Sequence, residues 1–259
     1  MFARKRFGQH FLHDQAVIER IVAAIDPKPG EHLVEIGPGL GAITLPLLAR
    51  GAELDVIEID RDAIGELRAK TAASALRIYE ADALQFDFGA LSRGERSLRI
   101  VGNLPYNIST PLLFRLLDFR AQLRDLHFML QKEVVDRMAA APGDDAYGRL
   151  TVMLAPWMRV EALFDIGPQS FRPPPKVMSS FFRMTPHATP PFDLTHPDAY
   201  ARVVAAAFGQ RRKMLRNALK GLVSADDMAA CGVDPGWRAE VVSPAQYALL
   251  AAKASRANG

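Results

Sequence analysis

A single cysteine, Cys231, occurs in 259 residues, so a disulfide framework and a four-cysteine zinc site are both excluded. No His or Asp pattern accompanies it, and packing as a small apolar residue is its expected role. Long apolar runs are also missing. No stretch approaches the ~18 residues of a membrane span. Residues 1–13 (MFARKRFGQHFLH) lack the apolar segment of a secretory leader, so the cytoplasm is the expected location. His10 and His13 lie three apart without a third ligand, and no metal is expected. Ser109 and His127 do not read as parts of a hydrolase triad, because no G-x-S-x-G elbow exists. Neither an internal repeat nor a low-complexity tract is visible. What remains is an ordinary globular composition, 49% hydrophobic and 24% charged. At ~150 residues per domain, that allows one large domain or a domain with a smaller appendage.

Net charge is only +3, yet it is unevenly distributed. Residues 1–186 carry 23 basic and 23 acidic side chains, whereas 187–259 carry 9 and 6. Residues 199–225 contain no acid but hold Arg202, Arg211, Arg212, Lys213, Arg216 and Lys220. Such a stretch is either a solvated helix face or a contact for a polyanion.

Two periodicities alternate over the first 140 residues. Short apolar runs at His32–Gly37, Leu54–Asp60, Leu76–Asp82, Leu98–Gly102 and Leu126–Gln131 end in polar or glycine residues and read as buried parallel strands. Helical stretches are expected near 40–50, 61–73, 109–119 and 132–140, with Ser109-Thr110-Pro111 as a capped helix start. This alternation predicts a doubly wound α/β sheet whose sites lie at the carboxyl ends of the strands. Met158–Ile166 and Val177–Met184 are further strand candidates, suited to an antiparallel pair at the sheet edge. His187–Asp193 has the composition of a linker. Beyond it only helical patterns occur, near 197–209, 210–222, 224–231 and 243–254, so a domain boundary is expected near 187.

Glu35-Ile36-Gly37-Pro38-Gly39-Leu40-Gly41 follows the first of these strands and opens a helix. Glycines there allow a sharp turn and a close approach to a ligand. Glu58 closes the second strand 21 residues after Gly37, where a carboxylate can accept both hydroxyls of a ribose. The pattern fits a dinucleotide or S-adenosylmethionine. The G-x-G-x-G spacing, and a proline that removes a pyrophosphate-binding amide, favour the latter. Asp82 closes the third strand, where it can accept from an adenine amino group or cap the next turn.

Asn103-Leu104-Pro105-Tyr106 follows the fourth strand, where substrate meets cofactor in such folds. An adenine amino nitrogen is a poor nucleophile because its lone pair is delocalised into the ring. The Asn103 side-chain oxygen and the Leu104 carbonyl could each accept one of its N–H groups and favour a pyramidal nitrogen. Pro105 restricts Leu104 to extended backbone. Tyr106 offers a ring on which an extruded base stacks, an interaction worth about 1–3 kcal/mol.

These motifs resemble those of the ribosomal RNA adenine dimethyltransferases, and most closely the bacterial small-subunit branch linked to kasugamycin sensitivity. The resemblance runs from about Lys5 to Tyr247, through KRFGQHFL (5–12), VEIGPGLG (34–41), VIEID (56–60), GNLPYNISTPLLF (102–114), FMLQKEV (128–134), FRPPPKVMSS (171–180) and FGQRRKMLRN (208–217). It implies a Rossmann-like class I methyltransferase sheet, spanning 1–186, with a small all-α RNA-binding domain at 187–259. It further implies N6,N6-dimethylation of two adjacent adenosines in a hairpin near the 3′ end of small-subunit ribosomal RNA, with S-adenosylmethionine leaving as S-adenosylhomocysteine. The implied partner is small-subunit ribosomal RNA in the immature 30S particle. Nothing in the sequence demands more than a monomer.

By matching positions, the resemblance places His10 and Leu12 over the cofactor, beside Gly37, Glu58, Asp82 and Asn103. His10 stands where some relatives have asparagine. Phe171 aligns with an aromatic that sandwiches the target base against Tyr106, although by itself it reads as a core residue. Arg211, Arg212, Lys213 and Arg216 fall in an RNA-contacting stretch. Three alternatives stay open on the residues: a large-subunit ribosomal RNA enzyme, a DNA adenine methyltransferase, and a non-catalytic ribosome assembly factor.

Overall fold

The computed structural model describes residues 10–71, 76–210 and 212–256. The strands are β1 (Phe11–Leu12), β2 (His32–Ile36), β3 (Glu53–Glu58), β4 (Leu76–Glu80), β5 (Leu98–Asn103), β6 (Leu123–Gln131), β7 (Met158–Ile166), β8 (Phe171–Arg172) and β9 (Ser179–Pro186). The helices are α1 (Gln15–Ile25), α2 (Thr44–Ala49), α3 (Arg61–Lys70), α4 (Ser109–Leu117), α5 (Lys132–Ala139), α6 (Arg149–Leu154), α7 (Pro197–Gly209), α8 (Leu215–Ala218), α9 (Ala225–Ala230) and α10 (Pro244–Arg256). Among the described residues, no helix is long and apolar enough to cross a membrane.

The chain forms two compact units. The first contains residues 1–135 and 160–186; the second contains 136–159 and 187–259. The boundary expected near 187 coincides with one division. The expectation of an unbroken 1–186 domain is corrected, because 136–159 packs in the second unit. Tyr147 donates its hydroxyl to the Val242 carbonyl at 2.8 Å, and Tyr200 donates to the Val152 carbonyl at 2.8 Å. Both bonds are buried, and separations of 95 and 48 residues hide them from any local pattern.

In the first unit seven strands run in the order β4-β3-β2-β5-β6-β9-β7. Strands β4, β3, β2, β5 and β6 are parallel, and β9 joins β6 antiparallel with Phe128 opposite Phe182. Strand β2 is buried at every residue and β5 at all but its last, as expected of mainly apolar strands covered on both faces. The outer strand β4 contains only half-buried and exposed residues. Strand order reverses between β2 and β5, which opens a crevice at their carboxyl ends.

Helix α1 starts at Asp14, whose carboxylate accepts from the Ala16 and Val17 N–H groups. Helix α4 starts differently from the sequence expectation. Ser109 is already helical, and its hydroxyl donates back to the Tyr106 carbonyl at 3.0 Å instead of capping. That bond ties the helix start to the preceding turn. The two-residue strands β1 and β8 form a separate antiparallel ladder, pairing Phe11 with Arg172 and Leu12 with Phe171.

The second unit is helical and has its own core, in which Tyr147, Tyr200, Val203, Leu215, Met228, Tyr247 and Leu250 are buried. Cys231 belongs to that core. The expected helix over 210–222 shrinks to the single turn α8, bounded by Gly209 before it and by Gly221 at φ +82° after it.

Candidate active site

A cavity of about 860 Å³ opens at the crevice between β2 and β5, within the range of sites that enclose a small molecule. It brings together six residues singled out from the sequence for cofactor binding, namely His10, Leu12, Gly37, Glu58, Asp82 and Asn103, as well as Leu104 and Tyr106.

The backbone makes the opening. Gly37, Gly39 and Gly41 have φ of +67°, +52° and +87°, left-handed values that let the chain turn straight out of β2. Gly102 serves a different purpose. A Cβ at that position would lie 2.4 Å from the Ile36 carbonyl oxygen, so only glycine lets β5 approach β2 this closely. The following residue, Asn103, is thereby set beside Gly37.

Two carboxylates are held at the rim by backbone N–H groups. Glu58 accepts from Ile59 and Asp60 at 2.9 Å through Oε1, and from Gly39 at 3.2 Å through Oε2. Burial raises its pKa, against the lowering effect of those three bonds. Asp82 accepts from the Leu84 N–H at 2.9 Å through Oδ1, a local turn that fixes the carboxylate without using its second oxygen.

Glu35 is a wall residue to which the sequence reading gave no role. It is 1% exposed, lines the cavity, and accepts the Thr44 hydroxyl at 2.6 Å. Burial pushes its pKa from 4.5 to about 7. The signal was available: an acid interrupts the apolar run of β2 where a purely structural strand would continue Val or Ile.

The Asn103 side chain is oriented by a single bond. Its Nδ2 donates to the His10 carbonyl at 3.0 Å. A carbonyl only accepts, so the amide must turn its NH2 group that way and keep Oδ1 as an acceptor for a ligand. The Leu104 N–H donates to the Met129 carbonyl at 3.3 Å, which anchors the start of the turn. Tyr106 is half-buried; its hydroxyl bonds the Ser179 hydroxyl at 2.9 Å, and burial raises its pKa. His10 bonds the Pro173 carbonyl through Nδ1 at 2.7 Å, and its ring lies 5.7 Å from that of Tyr106.

Phe171 is not among the residues that the structure brings to the cavity wall. It is 2% exposed, pairs with Leu12 in the short ladder, and packs in the core with Ile18, Val22 and Phe181. Its neighbours Arg172 and Pro173 line the cavity instead. The core reading of that phenylalanine therefore describes its position. In the second unit Arg212, Lys213 and Arg216 are exposed, while Arg211 lies outside the described residues. Among the described residues there is no group of three or more His, Cys, Asp or Glu side chains able to hold a metal ion.

Comparison with known proteins places this geometry among relatives. A family described as Ribosomal RNA adenine dimethylase matches residues 2–255. The chain is 56% identical over 248 residues to Ribosomal RNA small subunit methyltransferase A of Methylococcus capsulatus, covering 95% of this chain and 96% of that one. It is 53% identical to the protein of the same name from Pseudomonas putida, covering 96% and 94%. Among solved structures, a dimethyladenosine transferase from Plasmodium falciparum aligns with TM-score 0.82 at 25% identity, covering 96% and 98%. The 23S rRNA methyltransferase ErmE aligns with TM-score 0.75 at 25% identity, covering 95% and 99%.

Proposed function

The chain belongs to the ribosomal RNA adenine dimethylase family, and from that premise we propose that it transfers two methyl groups from S-adenosylmethionine to N6 of each of two adjacent adenosines in a 3′-terminal hairpin of small-subunit ribosomal RNA. The observation that carries this reading is the orientation of Asn103. Its NH2 group is committed to the His10 carbonyl, which leaves an acceptor in the cavity wall next to the half-buried ring of Tyr106.

The residues present fit the methyl donor. Glu58 is held by three backbone N–H groups and keeps a lone pair on Oε2 for a ribose hydroxyl, and Asp82 keeps one oxygen for an adenine amino group. Gly37 and Leu12 close the wall without polar side chains that would need partners. When bound, S-adenosylmethionine supplies an activated methyl group on a sulfonium, so positioning carries most of the catalysis.

Asn103 Oδ1 and the Leu104 carbonyl accept the two N–H groups of the target amine and localise its lone pair. Tyr106 stacks against the base, and its bond to Ser179 holds the ring at a fixed angle. Once methylated, the nitrogen is a strong acid, and its proton passes to water without a strong base in the wall. The exposed Arg212, Lys213 and Arg216 hold the RNA backbone.

The choice of the small subunit follows the names of relatives at 56% and 53% identity, against 25% for the 23S enzyme. The test is incubation with isotopically labelled donor and undermethylated small subunits, followed by mapping of the modified bases. Label on two adjacent adenosines of the small-subunit RNA is expected. Label in large-subunit RNA or in DNA overturns the assignment.

A further inference from the structure

A base that is paired and stacked in a hairpin must leave the stack before it can reach the cavity, and enzymes that extrude bases need something to occupy the gap. The segment that follows Pro173 has the required properties. Val177 and Met178 are 45% and 42% exposed, whereas Phe181 and Phe182, just beyond in β9, are fully buried. Single exposed apolar residues are common, but two adjacent ones immediately before the residue that bonds the Tyr106 hydroxyl are not explained by packing.

Their position is fixed from both sides. The Met178 carbonyl accepts from the Lys132 N–H at 2.9 Å, and the next residue, Ser179, bonds the Tyr106 hydroxyl at 2.9 Å. The apolar pair thus begins one residue from the atom that holds the proposed stacking ring. Prolines at 173–175 restrict the approach to it. Charge complements the apolar surface. Arg172 and Lys176 are exposed, and no acidic residue occurs between Asp165 and Asp193. An exposed apolar pair preceded by two exposed cations matches a base stack bordered by phosphates.

We propose that Val177 and Met178 form an apolar wedge that fills the space left in the RNA stack when the target adenosine turns into the cavity, with Arg172 and Lys176 on the flanking phosphates. The wedge rests on the reading that the substrate is an adenosine in structured RNA. It assigns extrusion to the 172–178 segment and leaves amine positioning to Asn103.

The experiment compares the unsubstituted protein with the double variant Val177→Ser/Met178→Ser. One probe is a hairpin RNA carrying 2-aminopurine at the target adenosine, whose fluorescence rises on unstacking. The other is the methylation of undermethylated small subunits. Unstacking a base requires a few kcal/mol, so the serine variant is expected to lose kcat by roughly tenfold or more. The KM for the methyl donor stays unchanged. The fluorescence rise disappears while the hairpin still binds, and Val177→Leu/Met178→Leu restores it. An undiminished rise, or an unchanged kcat, in the serine variant overturns the wedge. Failure of the unsubstituted protein to methylate small subunits overturns the substrate reading, and the fluorescence measurement is independent of that result.

Discussion

A single side chain can carry a mechanism when its orientation is forced. Asn103 donates to a carbonyl that can only accept, so its oxygen is left as an acceptor in the cavity wall, the role proposed for it toward the target amine. Asn103→Ala removes that acceptor without disturbing Glu58 or Asp82. Loss of one positioned polar contact of this kind lowers kcat by about 10²–10³. The expected outcome is therefore near-complete loss of methyl transfer with donor binding still measurable by calorimetry; turnover at the unsubstituted rate would refute the role. Glu35 gives a second prediction, for stability. Its pKa rises from 4.5 unfolded to about 7 folded because burial disfavours the ionised form. The neutral acid is the form that fits the fold. Its contribution is present below about pH 4.5 and is lost as pH rises through about 7, an effect on the order of 3 kcal/mol. Glu35→Gln cannot ionise and still accepts the Thr44 hydroxyl. Its melting temperature should exceed that of the unsubstituted protein by a margin that widens from pH 5 to pH 8. A margin independent of pH would show that Glu35 does not titrate in this range.

Elements follow local patterns where the pattern is strong and long-range contacts where it is weak. The five parallel strands were legible because each is an apolar run closed by a polar residue or glycine, and the residues closing four of them, Gly37, Glu58, Asp82 and Asn103, gather at one cavity. The ladder of β1 with β8 was not legible, since two-residue strands about 160 residues apart leave no periodicity to read. For the same reason Phe171 was assigned toward the base although its partner in the ladder, Leu12, holds it in the core. The buried bond of His32 to Asp55 at 2.6 Å joins β2 to β3 and was equally hidden, as both residues sit inside runs that read as apolar. The pairing of β2 with β5 supplies the prediction at this scale. Gly102→Ala sets a Cβ 2.4 Å from a backbone oxygen that cannot swing aside. The strands must part, at about 1–3 kcal/mol, and Asn103 must shift with them. Both stability and kcat should fall. Gly65→Ala is the control: it is a helical glycine with no atom within 4 Å of the added carbon. That substitution should raise stability by about 0.4–1 kcal/mol and leave activity unchanged. Equal melting temperatures for the two variants would exclude the proposed strand contact.

At the scale of the whole molecule, charge is sorted between the two units. The segment 136–159 brings three basic and three acidic side chains into the second unit, so the excess of three positive charges stays there. The same unit buries three tyrosines, whose pKa values are all raised by burial, and needs no cation for its core. Arg212, Lys213 and Arg216 are exposed, the first two just before the short helix α8 and the third within it. Exposed cations clustered in an acid-free stretch are suited to a polyanion. Each cation that neutralises a phosphate releases counterions, giving about 0.7–0.9 units of slope in log affinity against log salt. Arg212→Ala/Lys213→Ala/Arg216→Ala should therefore weaken RNA binding at low salt. It should also flatten the salt dependence by roughly two units if all three residues touch phosphates. Donor affinity in the first unit should not change. Filter binding of small-subunit RNA between low and physiological salt measures both quantities, and an unchanged slope would place the RNA contact on another face of the molecule.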